Sequence, residues 1–302
     1  MSDVLQLSHP LFPRITPSLL RYSYDSVWKY LTQTMVDIPK TAPLLPKPST
    51  GGDKGVAAPP TGTVYVPVNS TWAFSVNGVE IEGNDNQGVD VQYSWETHPQ
   101  REHSHTMSVG GFYMDEYPVT TTNYSSFLTA TGFKPADPYR WLENWNGSFT
   151  APPAALADVP VTYVSLEEAR AFCKWRGARL PHSHEWQYAA QGSDGRLYPW
   201  GDKKDQSKYP VMKQGNDFLG AEKVTAHPTG ASPFGVKDLV GNVYQYTDEF
   251  QDDHTRAVIL RGGSNYYPLG SHWYLPQSLE LNKHEKYVAS VRICSRVGSE
   301  WR

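Results

Sequence analysis

FYMDEYPVT (112–120), WRGARLPHSHEWQYAA (175–190), LYPWGD (197–202), GNVYQYTDE (241–249) and LRGGSNY (260–266) follow one another along the chain, and their reading decides the fold. Each sets aromatic or branched apolar residues beside Gly, Pro, Asn or Asp. That pattern gives many turns, short strands and few long helices. Glycine opens backbone geometries closed to other residues and lets neighbouring rings pack on bare main chain. Three short helices are predicted between the strands. NYSSFLTATG places Tyr124, Phe127 and Leu128 on one face and stops at Gly132. SLEEARAFCKWRG opens with Ser165 and Glu168 as a capping box, turns Ala169, Phe172 and Cys173 to the core and ends at Gly177. SHEWQYAAQG runs from Ser183 to Gly192. VYVPV and WAFSV alternate as strands, and another strand is read over 112–119.

Outward from this block the chain changes character. Residues 15–37 carry apolar positions at helical spacing and read as an N-terminal helical extension, 1–37. Residues 38–62 are rich in Pro, Gly, Ala and Lys and read as a flexible linker, leaving 63–302 as one large domain. Of the 302 residues, 39% are apolar and 13% aromatic, so large rings must build much of the core. The net charge of −4 gives no case for nucleic acid. No run of 18 apolar residues is present, so no membrane partner is expected. The first residues lack a basic start followed by an apolar core. They favour the cytoplasm and leave the sequons at Asn69, Asn123 and Asn146 unmodified. Two cysteines, Cys173 and Cys294, are too few for a disulfide framework and read as two free thiols.

The five motifs, in this order, resemble the formylglycine-generating enzyme family, the sulfatase-modifying factors. The resemblance runs from about Val64 to the C-terminus. It implies an α+β, irregular, C-type-lectin-like fold with short strands, two to three helices and much loop. It also implies copper(I) chemistry on a cysteine pair in the segment after RGGS, since thiolates suit a soft ion. The matching positions here are Tyr267 and His272, and no cysteine lies between Cys173 and Cys294. Copper is therefore not expected. A Cys173–Cys294 disulfide is the pairing the resemblance allows.

The resemblance further implies calcium at the GNVYQYTDE loop, with Gly241, Asn242 and Gln245 as ligands and Gln245 where the family usually has a carboxylate. Asn216, Asp217 and Glu222 are donors for a second site. It places a ligand surface after RGGS, on Arg261, Asn265, Tyr266, Tyr267, His272 and Trp273. Trp141, Trp145, Trp200 and Tyr274 are further pocket candidates, with Trp200 expected in the core. His98, His103 and His105 suggest a metal only weakly, because no carboxylate spacing completes a triad, and the stretch reads as solvated. His182 and His184 read as capping or surface residues. Two families of function follow. One is a cysteine-less, non-catalytic pseudoenzyme domain that binds a peptide, protein or small-molecule ligand. The other is an oxidoreductase: a partial relative or subunit of a non-haem-iron sulfoxide synthase of the ergothioneine and ovothiol type, or a formylglycine-generating oxidase. No HxxxHxE iron motif is present.

Overall fold

A computed structural model describes residues 60–76, 78–81, 90, 92–93, 95–148, 150–211, 220–250, 258–263, 278–282, 289–290 and 296–297. The chain divides into two units, Met1–Leu44 and Leu45–Arg302, and every described residue lies in the second. The predicted N-terminal helix and nearly all of the predicted linker lie outside the described residues.

Among the described residues, ten short strands and three α-helices alternate with loop, as the turn-rich sequence requires. Strand β1 is Thr63–Val66, β2 Asn69–Val76, β3 Gly78–Ile81, β4 His103–Val109 and β5 Phe112–Asp115. Helices α1 (Thr121–Thr131), α2 (Leu166–Trp175) and α3 (Ser183–Gln191) follow. Then come β6 (Tyr244–Phe250), β7 (Val258–Arg261), β8 (Ser278–Asn282), β9 (Ala289–Ser290) and β10 (Arg296–Val297). They form sheets of order β1-β5-β10, β2-β4 and β3-β8-β7-β6-β9. The predicted strand over 112–119 stops at Asp115, because the chain bends at Glu116 and Tyr117 ahead of Pro118.

The helix ends match their sequence signals. The Ser165 amide donates to Glu168 Oε2 at 2.7 Å, the return half of the predicted capping box. A cap of this kind is worth about 1 kcal/mol. Gly132 closes α1 at φ +62, with its N–H on the Leu128 carbonyl. A left-handed residue at that position satisfies a helix-end carbonyl.

Strand β7 shows how two cores share one sheet. Val258 and Leu260 pack into a cluster with Tyr124, Phe127, Trp141, Trp145 and Phe172. Ile259 points the other way, into a cluster with Trp72, Phe74, Phe112 and Trp186. Side chains alternate along a strand, so a strand covered on both faces reads as a continuous apolar run. On β6, Tyr244 and Tyr246 share the first cluster, which leaves Gln245 and Thr247 on the α3 side. Arg261, two residues beyond Ile259, also faces α3 and pairs in register with Gln245. Among the described residues no helix is long and apolar enough to cross a membrane.

Candidate functional site: the junction of α3, β6 and β7

Two glycines bring the RGG and GN segments together. Gly262 and Gly263 adopt φ of +90 and +71. Gly241 N–H donates to the Gly262 carbonyl at 2.7 Å. A Cβ on Gly262 would lie 3.1 Å from the Leu239 carbonyl and 3.2 Å from Gln245 Nε2. Only glycine fits both the turn and the approach.

Gln245 is fully buried on this platform. Its Oε1 accepts from the Trp186 indole N–H at 2.5 Å, and its Nε2 donates to the Asp238 carbonyl at 2.9 Å. Asn242, at φ +65, works the same way on the neighbouring loop. Its Oδ1 accepts from Glu222 N–H at 2.8 Å, and its Nδ2 donates to the Glu222 carbonyl at 3.2 Å and to Asp238 Oδ2 at 3.0 Å. The Gly241 carbonyl accepts from Val243 N–H.

Calcium needs hard oxygens turned toward one centre. Here the side-chain oxygens of Gln245 and Asn242 each meet an N–H hydrogen, which would repel a cation. As the residues stand, they fit a hydrogen-bonded clamp and not a calcium cradle. Glu222 is engaged with His227, and Asn216 and Asp217 lie outside the described residues. Among the described residues no group of three or more His, Cys, Asp or Glu is placed to hold a metal ion.

Arg261 lies inside the molecule, 1% exposed, and not on an open surface. Its Nε and Nη2 both donate to Ser183 Oγ, at 2.9 and 2.7 Å. Burial pulls its pKa down to about 10, while Tyr93 and Glu249 act to raise it. Glu249 in turn takes the Ser183 amide at 2.9 Å. The guanidinium thus anchors the end of β7 to the first turn of α3. The same helix start is held by Glu185, which accepts from the His182 amide and forms a two-pronged pair with Arg179 at 2.7 and 2.8 Å. Burial pushes the Glu185 carboxyl up, but the Arg179 bond and charge outweigh it and hold the group below its ordinary range.

Several expected site residues fall elsewhere. Asn265, Tyr266, Tyr267, His272, Trp273 and Tyr274 lie outside the described residues. Trp141 and Trp145 are core, 6% and 0% exposed. Trp200 is only half-buried, stacked between Tyr198 and Tyr209, so the core expectation for it is corrected. The solvated reading of the His98–His105 stretch fails at His103. That residue is buried, with Nδ1 on Glu96 at 2.7 Å, because the turn carrying Tyr93 and Trp95 covers β4. His182 precedes α3 as a capping position but is buried, its ring stacked on His184. Cys173 is buried in the first cluster, and Cys294 lies outside the described residues. Ser183, Glu249 and Asp238 were not singled out from the sequence. Their partners lie far along the chain, and a serine between two histidines reads as a cap.

The motif order meets known proteins at this point. A model of the sulfatase-modifying factor enzyme 1-like domain matches residues 79–297. The chain is 40% identical over 117 residues to the inactive C-alpha-formylglycine-generating enzyme 2 of Bos taurus, covering 35% of this chain and 38% of that one. It is 29% identical over 194 residues to the formylglycine-generating enzyme of Mus musculus, covering 49% and 51%. A third relative is the hercynine oxygenase of Mycobacterium tuberculosis, 30% identical over 168 residues, covering 48% and 39%. The chain thus spans about half or less of the length of these curated relatives. The structure of PvdO from Pseudomonas aeruginosa aligns at a TM-score of 0.50 and 18% identity, over 78% of this chain and 94% of that one, a likeness of fold. The match across residues 79–297, with the glycine platform and capped helices in place, assigns the chain to the sulfatase-modifying factor family.

Proposed function

We propose that this protein is a non-catalytic member of that family, a binding domain that keeps the scaffold and has lost the copper chemistry. The carrying observation is the absence of cysteine from the whole interval between Cys173 and Cys294, where Tyr267 and His272 take the positions of the family pair. Copper(I) oxidation of a substrate thiol needs soft thiolate ligands, and tyrosine and histidine do not replace a thiolate pair. The likeness to an inactive relative supports this reading. The ligand is a peptide, protein or small molecule held beyond Gly263, on Asn265, Tyr266, Tyr267, His272 and Trp273. Aromatic rings there bury area at low entropic cost, and Asn and His add directional bonds. Arg261, just before that segment in sequence, fixes β7 to α3.

Copper(I) titration against a competing chelator tests the claim. No tight equivalent is taken up by the protein, and Tyr267→Cys with His272→Cys gains one. Tight one-equivalent uptake by the unaltered chain would overturn it. The likeness to hercynine oxygenase favours a second reading, the corresponding domain of a sulfoxide synthase. It requires iron ligands from outside this sequence, since no HxxxHxE motif is present here.

A further inference from the structure

The Glu96 amide donates to the Tyr93 carbonyl at 3.0 Å and closes a turn that packs on β4. Three buried polar atoms at this turn, on β4 and on α3 have no hydrogen-bond partner among the described residues: Tyr93 Oη, His103 Nε2 and Gln187 Oε1. The Trp95 indole N–H, whose ring stacks on Tyr93, is a fourth. What the other end of each group meets fixes its character. His103 Nδ1 lies 2.7 Å from Glu96 Oε1, and a carboxylate only accepts. Nδ1 therefore carries the hydrogen, and Nε2 of the neutral ring is an acceptor. Glu96 is itself held by the Tyr93 amide and Gln100 Nε2, each at 2.8 Å. Gln187 Nε2 donates to the Ser75 carbonyl at 2.5 Å, which leaves Oε1 as the acceptor end of that amide.

A closed circuit of contacts brings these atoms together. The Tyr93 and His103 rings meet edge-on, 4.7 Å between centroids. His103 pairs in register with Val76 of β2, one residue beyond Ser75. Ser75 takes Gln187, which is 0% exposed. Gln187 lies one turn along the same face of α3 from Ser183, which holds Arg261. The Tyr93 hydroxyl is within electrostatic reach of Arg261 and Glu249, and this closes the circuit. Ser183 Oγ already accepts two N–H groups from Arg261, so its own hydrogen is left to donate.

The set is balanced. His103 Nε2 and Gln187 Oε1 accept, while the Tyr93 and Ser183 hydroxyls and the Trp95 N–H donate. A cation would meet the N–H and O–H hydrogens, and an anion would meet the two acceptors. Water gives two hydrogen bonds and takes two, and a buried water typically satisfies about three otherwise unpaired groups. We propose that this junction is an internal water site, in which ordered water bridges Tyr93 Oη, His103 Nε2 and Gln187 Oε1 and ties the Tyr93–Glu96 turn to α3. Dry, each of the three atoms would carry the cost of a buried polar group without a partner. The site shares Ser183 with the Arg261 anchor and does not depend on which ligand the surface beyond Gly263 takes.

Tyr93→Phe removes the hydroxyl and keeps the ring. If the hydroxyl holds water, its loss should raise the unfolding constant in urea by about two- to tenfold. A dry hydroxyl predicts the opposite sign, because removing an unpaired buried polar group relieves its desolvation. A high-resolution crystal structure of the unaltered chain should show a water oxygen about 3 Å from Gln187 Oε1 and from Tyr93 Oη or His103 Nε2. Equal or greater stability of Tyr93→Phe would overturn the proposal. So would a crystal structure in which no water joins the turn to α3, a readout that stands even if the variant fails to fold.

Discussion

Replacing Gln245 by Glu inverts the chemistry of the buried clamp without changing its shape. The new carboxyl keeps the Trp186 N–H as a donor, but an ionised oxygen would face the Asp238 carbonyl where Nε2 now donates. Two outcomes compete. A buried charge robbed of a partner costs roughly 3–5 kcal/mol. Alternatively the carboxyl stays protonated and donates to Asp238, preserving both bonds. Holding a glutamate neutral at pH 7, about 2.7 units above its ordinary pKa at about 1.4 kcal/mol per unit, costs about 3.7 kcal/mol. The second route caps the loss at about 4 kcal/mol, or about 7–15 °C in melting temperature for a domain of this size.

The sign with pH follows. A carboxyl whose folded pKa is raised destabilises above its unfolded pKa, so the deficit should shrink by about 1.4 kcal/mol per unit as pH falls toward about 4.5. Thermal and urea unfolding of both proteins at pH 5 and 7, in chelator and in calcium, measures this. Equal stability at pH 7 in chelator would refute the clamp. A calcium-dependent recovery of Gln245→Glu would show instead that the loop accepts the cation the family resemblance implies.

Other outcomes follow from the same geometry. Ser183→Ala removes the oxygen that takes two Arg261 N–H groups and should cost about 1–3 kcal/mol in urea unfolding. Trp145→Ala, at a fully buried site, should cost about 3–5 kcal/mol. Trp200→Ala, at a half-buried stack, should cost clearly less in the same assay; the reverse order would mean that core and surface are exchanged. Glu185 is held below its ordinary pKa of 4.5 by Arg179, so its contribution should be present above about pH 4.5 and lost as pH falls below it. Glu185→Gln should remove that part of the acid transition.

Local rules carried the helices. Gly132 at the end of α1, Ser165 with Glu168, and Gly192 at the end of α3 are local signals, and each sits where the structure places it. The glycine pair after Arg261 was legible for the same reason: a bare backbone next to a turn-forming loop has few other uses. The site's wiring was not legible. Arg261 meets Ser183 across 78 residues and Trp186 meets Gln245 across 59. No periodicity encodes such a pairing. The burial of His103 depended on a covering turn ten residues earlier, which a local pattern reads as solvent. The parallel pairing of β3 with β8 likewise joins segments distant in sequence.

The central claim, a family scaffold without the family's oxidation chemistry, is tested most directly by mass spectrometry of a Cys-x-Pro-x-Arg peptide incubated with the protein, copper(I) and oxygen. The peptide thiol should remain, with no aldehyde mass formed. Robust conversion to formylglycine by the unaltered chain would contradict the account.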